Sequence, residues 1–243
     1  MKQTSNQDIT NVCIPRDVAM KAAMMRLESV DDEIRAGYKV ISKYEKTATI
    51  FGSARLPKSS PHYKAAKKLS HKLAENGYAV ISGGGHGIMG AANEGAKEAG
   101  GHSIGFNIKL PSEQTLNDFT TDSLAFSHFA PRKIVMTLFA NAYIYFPGGF
   151  GTLDELTEIL TLIQTGKTTK TPVILFGSDF WNPFDAFVKN ILLKQEGVIS
   201  EGDEHLYVIT DDIDEAVEHV LANQTYCEYI HTDPNTKRAA KMA

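Results

Sequence analysis

Three stretches of this chain gather residue types that chemistry needs. Ser82–Ala92 reads SGGGHGIMGAA, with glycines at 83, 84, 85, 87 and 90. Pro147–Leu156 reads PGGFGTLDEL. Pro131-Arg132-Lys133 opens the helical stretch between them. Without Cβ atoms, glycines let the backbone turn sharply and approach a ligand closely. A helix start just after such a turn adds unpaired N–H groups and partial positive charge. Together they suit a phosphate. Gly83, Gly84 and Gly85 are candidates for that role in the first turn, although a tight turn alone also calls for glycine. In the second turn Thr152 can cap the helix or bond a phosphate. Asp154 and Glu155 are expected in the first helical turn, where carboxylates suit the helix dipole and can also meet a ligand. Arg132 and Lys133 oppose that dipole at their own helix start. An anionic ligand or an acidic partner would offset the cost, and position favours that slightly over a solvated basic pair.

Other nucleotide chemistries fit less well. Gly85–Gly90 matches GxGxxG, but the next apolar stretch ends in Asn107-Ile108 and not in an acid that would hold a ribose. This disfavours NAD. There is no GxxxxGK[ST] for a P-loop and no GxSxG nucleophile elbow. Cys13 and Cys227 stand far apart, and the histidines show no paired metal spacing, so no metal is expected. His128, just before the Arg-Lys pair, is the histidine to watch. His86 reads as a solvent-facing loop residue.

Hydrophobic pattern sets these groups on a scaffold. Short apolar runs at 47–53, 78–85, 102–108, 142–149, 172–177 and 206–210 read as strands, with a further short one at 123–126. Helical patterns fall at 61–76, 87–99, 131–140, 152–165, 183–195 and 212–222. Trp181-Asn182-Pro183 would cap or start the helix at 183. Tyr143 and Tyr145 would pack the sheet. Continuously apolar strands alternating with helices imply an α/β fold, a Rossmann-like doubly wound parallel sheet with helices on both faces. A Met-rich amphipathic stretch from Pro15 to about Tyr44 precedes it and is expected to pack across a subunit interface or cap the sheet. The organisation expected is an N-terminal helical extension over 1–45, one domain over 46–232 and a loose tail over 233–243.

Composition narrows the class. Of 243 residues, 42% are hydrophobic and 22% charged, which is ordinary for a globular chain. Twenty-five Lys and Arg against 29 Asp and Glu give a net charge of −4, so nucleic acid is not the expected partner. No apolar run reaches the ~20 residues of a membrane helix, and the start MKQTSNQDIT has no apolar core of a signal peptide. A cytoplasmic protein with no membrane partner is expected. The helix LTEILTLIQTG is apolar enough for a dimer interface, so a homo-oligomer is expected too.

Taken in this order, the motifs resemble the LOG family, whose members include cytokinin riboside 5′-monophosphate phosphoribohydrolases, formerly labelled lysine decarboxylases. The resemblance rests on PGGFGTLDE at 147–155, Arg132-Lys133 before it, FGSAR at 51–55, GGGHGIM, LPSEQ at 110–114 and LTLIQTGK at 160–167. The length and N-terminal helix are similar to the larger bacterial subgroup. The resemblance implies hydrolysis of the N-glycosidic bond of a nucleoside 5′-monophosphate, AMP or an N6-modified AMP, to a free base and ribose 5-phosphate. It implies no cofactor. It assigns Glu155 and Arg132 to catalysis, and Gly148, Gly149, Gly151 and Thr152 to the phosphate. Lys133, Glu113 and Ser53 would line the nucleotide site. A non-catalytic nucleotide-binding or sensing protein on the same fold is the alternative. Asn141 stands where the family usually has Asp, which would remove a charge close to the site.

Overall fold

A computed structural model of the chain describes residues 14–110 and 115–222. Cys13, Cys227, Glu113 and the tail over 233–243 lie outside the described residues. Seven strands form one sheet: β1 (Thr47–Phe51), β2 (Ala79–Ser82), β3 (Ser103–Ile108), β4 (Asp122–Phe126), β5 (Ala142–Tyr145), β6 (Val173–Phe176) and β7 (Val208–Thr210). Their order is β4-β3-β2-β1-β5-β6-β7, and every pair is parallel. The five inner strands are buried along their length, whereas the edge strand β4 alternates exposed and covered residues. This is the consequence of helices covering both faces.

The helices are α1 (Arg16–Ile41), α2 (Pro61–Glu75), α3 (Ile88–Glu98), α4 (Phe129–Thr137), α5 (Phe150–Gln164), α6 (Ser178–Phe187) and α7 (Ile213–Ala222). Alternate residues of β1 divide the core. Ala48 and Ile50 join a cluster with Leu69 and Leu73 of α2, Ala92 of α3 and Val217 of α7. Phe51 joins the opposite cluster with Ile41 of α1, Val135 of α4, Leu156 and Ile159 of α5, and Trp181 of α6. Tyr143 and Tyr145 are buried in this second cluster, and the Phe51 and Tyr145 rings stack at 5.0 Å. Each such side chain contributes roughly 1.5–3 kcal/mol on burial.

Strand order determines where a ligand can sit. The chain steps outward from β1 to β4, then crosses back to place β5 on the other side of β1. The carboxyl ends of β1 and β5 therefore border the crevice at which an open α/β sheet binds ligands. Two backbone hydrogen bonds fix that junction: Phe146 N–H donates to the Phe51 carbonyl at 2.9 Å, and Ser53 N–H to the Pro147 carbonyl at 3.0 Å.

Several local expectations change. Helix α5 starts at Phe150, so Asp154 and Glu155 fall beyond its first turn, and Thr152 does not cap it. Gly149 has the cap position because the tight Gly148-Gly149 link lets the helix begin early. Helix α6 starts at Ser178 and takes Pro183 inside, continuing as a π-helical turn over Val188–Gln195. The Asp211 side chain, arriving from the end of β7, accepts from Ser178 N–H at 2.8 Å and anchors that start. Only tertiary structure brings the two together. Helix α5 turns Leu156, Ile159 and Ile163 into the core, while Leu160 and Leu162 of the same helix are only partly buried. Asn141 is at the amino end of β5, where its Oδ1 accepts from Thr47 N–H at 2.8 Å. Six residues at ~3.3 Å each separate it from the glycine turn at the other end of the strand, so it carries no charge change to the site.

Candidate active site

The crevice is built from the turns that leave β1, β2 and β5. After β2, Ser82 Oγ accepts from Gly84 N–H at 3.0 Å and donates to Asn93 Oδ1 at 2.6 Å. Asn117 closes the same turn, its N–H on the Gly84 carbonyl at 2.8 Å and its Nδ2 on the Gly85 carbonyl at 3.0 Å. Asn93 Nδ2 then reaches Ser103 Oγ at 2.9 Å. This buried Ser82–Asn93–Ser103–Asn117 network shapes the turn, and its members carried no sequence signal apart from being polar within apolar stretches. Gly83, Gly84 and Gly85 are themselves buried. A Cβ on Gly83 would overlap Arg132 and stand 2.5 Å from Met89 Sδ. Gly84 has φ +70°, and its Cβ would lie 2.8 Å from Leu116. The first turn is thus roofed by side chains, which accounts for Gly83, while Gly84 is also required by its left-handed backbone.

The second turn is open. Gly149 and Gly151 are exposed, and a Cβ on either would meet nothing within 4 Å. Gly148 is only partly covered, and a Cβ there would overlap Thr152, whose buried side chain folds back beneath it. The amino end of α5 therefore presents its first N–H groups to solvent beside two glycines that no protein contact requires. Phe150, between them, is 91% exposed. Sequence reading passed over it because a lone apolar residue among glycines has no period.

Arg132 spans the gap between the turns. Its Nε donates to the Phe106 carbonyl of β3 at 2.7 Å, and its Nη1 stands 3.6 Å from Glu155 Oε1. Both side chains are largely buried, at 9% and 14% exposure. Burial pushes the Glu155 carboxyl up to about 7, against the opposing pull of Arg132 and Lys133. Burial likewise lowers the Arg132 guanidinium from its ordinary value, with Glu155 opposing. Tyr145 Oη donates to the Glu155 carbonyl at 3.1 Å and ties this turn of α5 to β5. Lys133 points to the outer side of α5, 2.9 Å from Asp154 and 3.0 Å from Glu158. It neutralises the two neighbouring carboxylates, leaving Arg132 to face Glu155.

Ser53 joins the two turns. Besides its bond to Pro147, its carbonyl accepts from Ile88 N–H at 3.0 Å. His86 is exposed, with Nε2 3.0 Å from Thr115 Oγ1. His128 precedes α4 and meets Glu33 of α1: the Glu33 carboxylate accepts from Ser127 N–H at 2.8 Å and lies 3.3 Å from both His128 N and Nδ1. Among the described residues no three His, Cys, Asp or Glu side chains are grouped to hold a metal ion. No helix among them is long and apolar enough to cross a membrane.

Residues 89–220 match the family model described as "Possible lysine decarboxylase". The chain belongs to this family. Its curated members include the cytokinin riboside 5′-monophosphate phosphoribohydrolase LOG of Oryza sativa subsp. japonica, 35% identical over 163 residues, which is 66% of each chain. The enzyme of the same name from Mycobacterium marinum is 34% identical over 149 residues, 60% of this chain and 78% of that one. The fold recurs in the molybdenum cofactor carrier protein of Chlamydomonas reinhardtii, at a TM-score of 0.54 and 25% identity over 73% of this chain and 98% of that one. Within this family the matched span takes in both Arg132 and the whole second turn, and stops short of α1.

Proposed function

We propose that this protein hydrolyses the N-glycosidic bond of nucleoside 5′-monophosphates, with AMP or an N6-modified AMP as substrate, releasing the base and ribose 5-phosphate. The observation that carries this reading is the buried Arg132–Glu155 pair beside an open, glycine-lined helix start. The phosphate is assigned to the second turn, where Gly149 and Gly151 leave the first N–H groups of α5 free to approach an anion. Ribose then lies toward Glu155. Cleavage of the glycosidic bond develops positive charge on the ribose ring. A carboxylate held in a low-dielectric crevice stabilises that charge more strongly than one in water. Arg132 opposes the protonation that burial favours, so that the Glu155 carboxyl lies near 7 and its anion is available at and above neutral pH. At 3.6 Å the pair makes a charge contact longer than a hydrogen bond, so a ribose hydroxyl or the attacking water can bridge it. The named activity of the rice and mycobacterial relatives supports the same substrate class.

The test is base release from a panel of nucleoside 5′-monophosphates and their unphosphorylated nucleosides, followed by chromatography, with Glu155→Gln as control. Release from monophosphates alone, abolished in the variant, is the expected result. Nucleotide binding with no base release from any member would favour a binding protein on this fold.

A further inference from the structure

One apolar side chain at the crevice is left half-covered. In the first turns of α3, Ile88, Gly90, Ala91, Ala92 and Asn93 are all buried. Met89 alone among residues 88–93 keeps part of its surface open. The same methionine is a neighbour of Arg132. A Cβ on Gly83 would overlap Arg132 Nη2 and stand 2.5 Å from Met89 Sδ. Both atoms crowd one point, so the thioether stands within about 5 Å of the guanidinium. The guanidinium in turn faces Glu155, with Nη1 3.6 Å from Oε1. Met89 is thus an apolar group beside the Arg132–Glu155 pair, on the side of the first glycine turn.

That turn has few groups left with which to read a ligand by its edges. Gly84 N–H is taken by Ser82 Oγ. The Gly84 and Gly85 carbonyls are taken by Asn117. A group arriving here meets the flank of Met89 instead. A thioether has no proton to donate, so it offers nothing to a phosphate. It is unbranched and polarizable, and it suits the flat face or edge of an aromatic ring. A guanidinium beside it adds attraction for the same ring face.

The order of parts in a nucleotide completes the argument, which rests on the function proposed above. Phosphate is assigned to the open start of α5 and ribose to Glu155. Arg132 spans the gap from there to the first turn, so the base falls on the side of Met89. We propose that Met89 is a specificity-determining residue that carries the base, recognising a purine by its ring face beside Arg132.

The experiment is isothermal titration of AMP, UMP and ribose 5-phosphate into Glu155→Gln, in which slow turnover lets binding be read by itself. The same titrations follow in that background with Met89→Ala, Met89→Leu or Met89→Gln added. Met89→Ala should weaken AMP about tenfold. UMP, with a smaller ring face, should lose about threefold, and ribose 5-phosphate, which has no base, less than about twofold. Met89→Leu keeps an apolar flank and should recover most of the AMP affinity. Met89→Gln keeps the length but adds an amide dipole, and should behave as Met89→Ala does. Thermal unfolding checks the fold of each variant, and the contrast between Leu and Gln decides by itself should the Ala variant not fold. AMP affinity unchanged in the Ala and Gln variants overturns the proposal. So does an equal loss for AMP and ribose 5-phosphate, which would make Met89 a support for Arg132 alone, and so does an absence of AMP binding. A parent chain that binds AMP and releases no base defeats the hydrolase reading and leaves this contrast to be read.

Discussion

There is no room for a methyl group between Gly83 and Arg132. A Cβ on Gly83 would overlap the guanidinium, which is itself fastened to the Phe106 carbonyl at 2.7 Å. The first glycine turn thus serves as the seat of the arginine, whereas Gly149 and Gly151 of the second have open space beside them. The two glycine motifs look alike in sequence and have different physical reasons.

That difference can be measured. Gly149→Ala and Gly151→Ala place a methyl in open space, so thermal stability should hold or rise by up to about 1 kcal/mol at the helical Gly151. Nucleotide affinity should still fall, because the methyl occupies the anion's approach. Gly83→Ala should instead displace Arg132 and cut turnover, with a stability cost of about 1–3 kcal/mol from overpacking. Isothermal titration with AMP and thermal unfolding on the same variants separate the two classes. Unchanged AMP affinity in both second-turn variants would contradict the assignment of phosphate to that turn.

Activity should depend on pH through Glu155. With its carboxyl near pH 7 and the anion doing the chemistry, kcat/KM should rise with pH and level off above about 7. Glu155→Gln should lower turnover about 10²–10⁴-fold. Lys133→Gln should move the midpoint upward, since the ammonium helps hold Glu155 ionised. A pH profile of the Lys133 variant that coincides with that of the parent would exclude this coupling.

Stability should carry the opposite trace. The folded state holds a proton on Glu155 more tightly than the unfolded chain does. Stability therefore falls as pH rises from about 4.5 toward 7, by up to about 3 kcal/mol from this group. Glu155→Gln removes that slope, so the difference between variant and parent in urea unfolding should grow in the variant's favour between pH 5 and pH 8. Parallel pH curves for the two proteins would count against a raised carboxyl.

Glu33 should behave in the reverse sense. Burial works to raise its carboxyl, but the N–H groups of Ser127 and His128 outweigh burial and hold it below its ordinary value. Its contribution is present above the unfolded pKa and is lost as pH falls through the folded one. It holds the two residues that lead into α4 from another helix, so Glu33→Ala should cost about 1–3 kcal/mol at pH 7, as loss of a hydrogen bond to a charged group does. The cost should shrink below pH 4. Hydrogen exchange at the start of α4 should quicken in the variant, with the α2–α3 pair unaffected.

Asn141→Asp should change neither activity nor stability by more than about 0.5 kcal/mol. Aspartate can accept from Thr47 N–H as asparagine does, and the position is at the far end of β5. Altered kinetics in this variant would show that the amino end of the strand communicates with the crevice.

The parallel sheet and its two helical layers were legible in the sequence, because each leaves a local mark, and Arg132 and Glu155, singled out there, meet in the fold as a buried pair. Apolar runs such as TATIF have to be buried on both faces, and PGGFG can only turn tightly into a helix. An Arg-Lys pair expected at a helix start draws notice because it opposes the dipole, although α4 begins at Phe129 and makes them its fourth and fifth residues. What tertiary structure decided concerns groups that meet from distant positions. Glu33 holds Ser127, 94 residues away, just before α4, and Asp211 accepts from the first residue of α6, 33 residues before it. Ser82, Asn93, Ser103 and Asn117 become one network only when β2, α3 and β3 are assembled. The roof over the first glycine turn and the open floor of the second have the same physical cause. A glycine in the sequence does not say what its missing side chain would meet, and only the folded neighbours show whether protein fills that space.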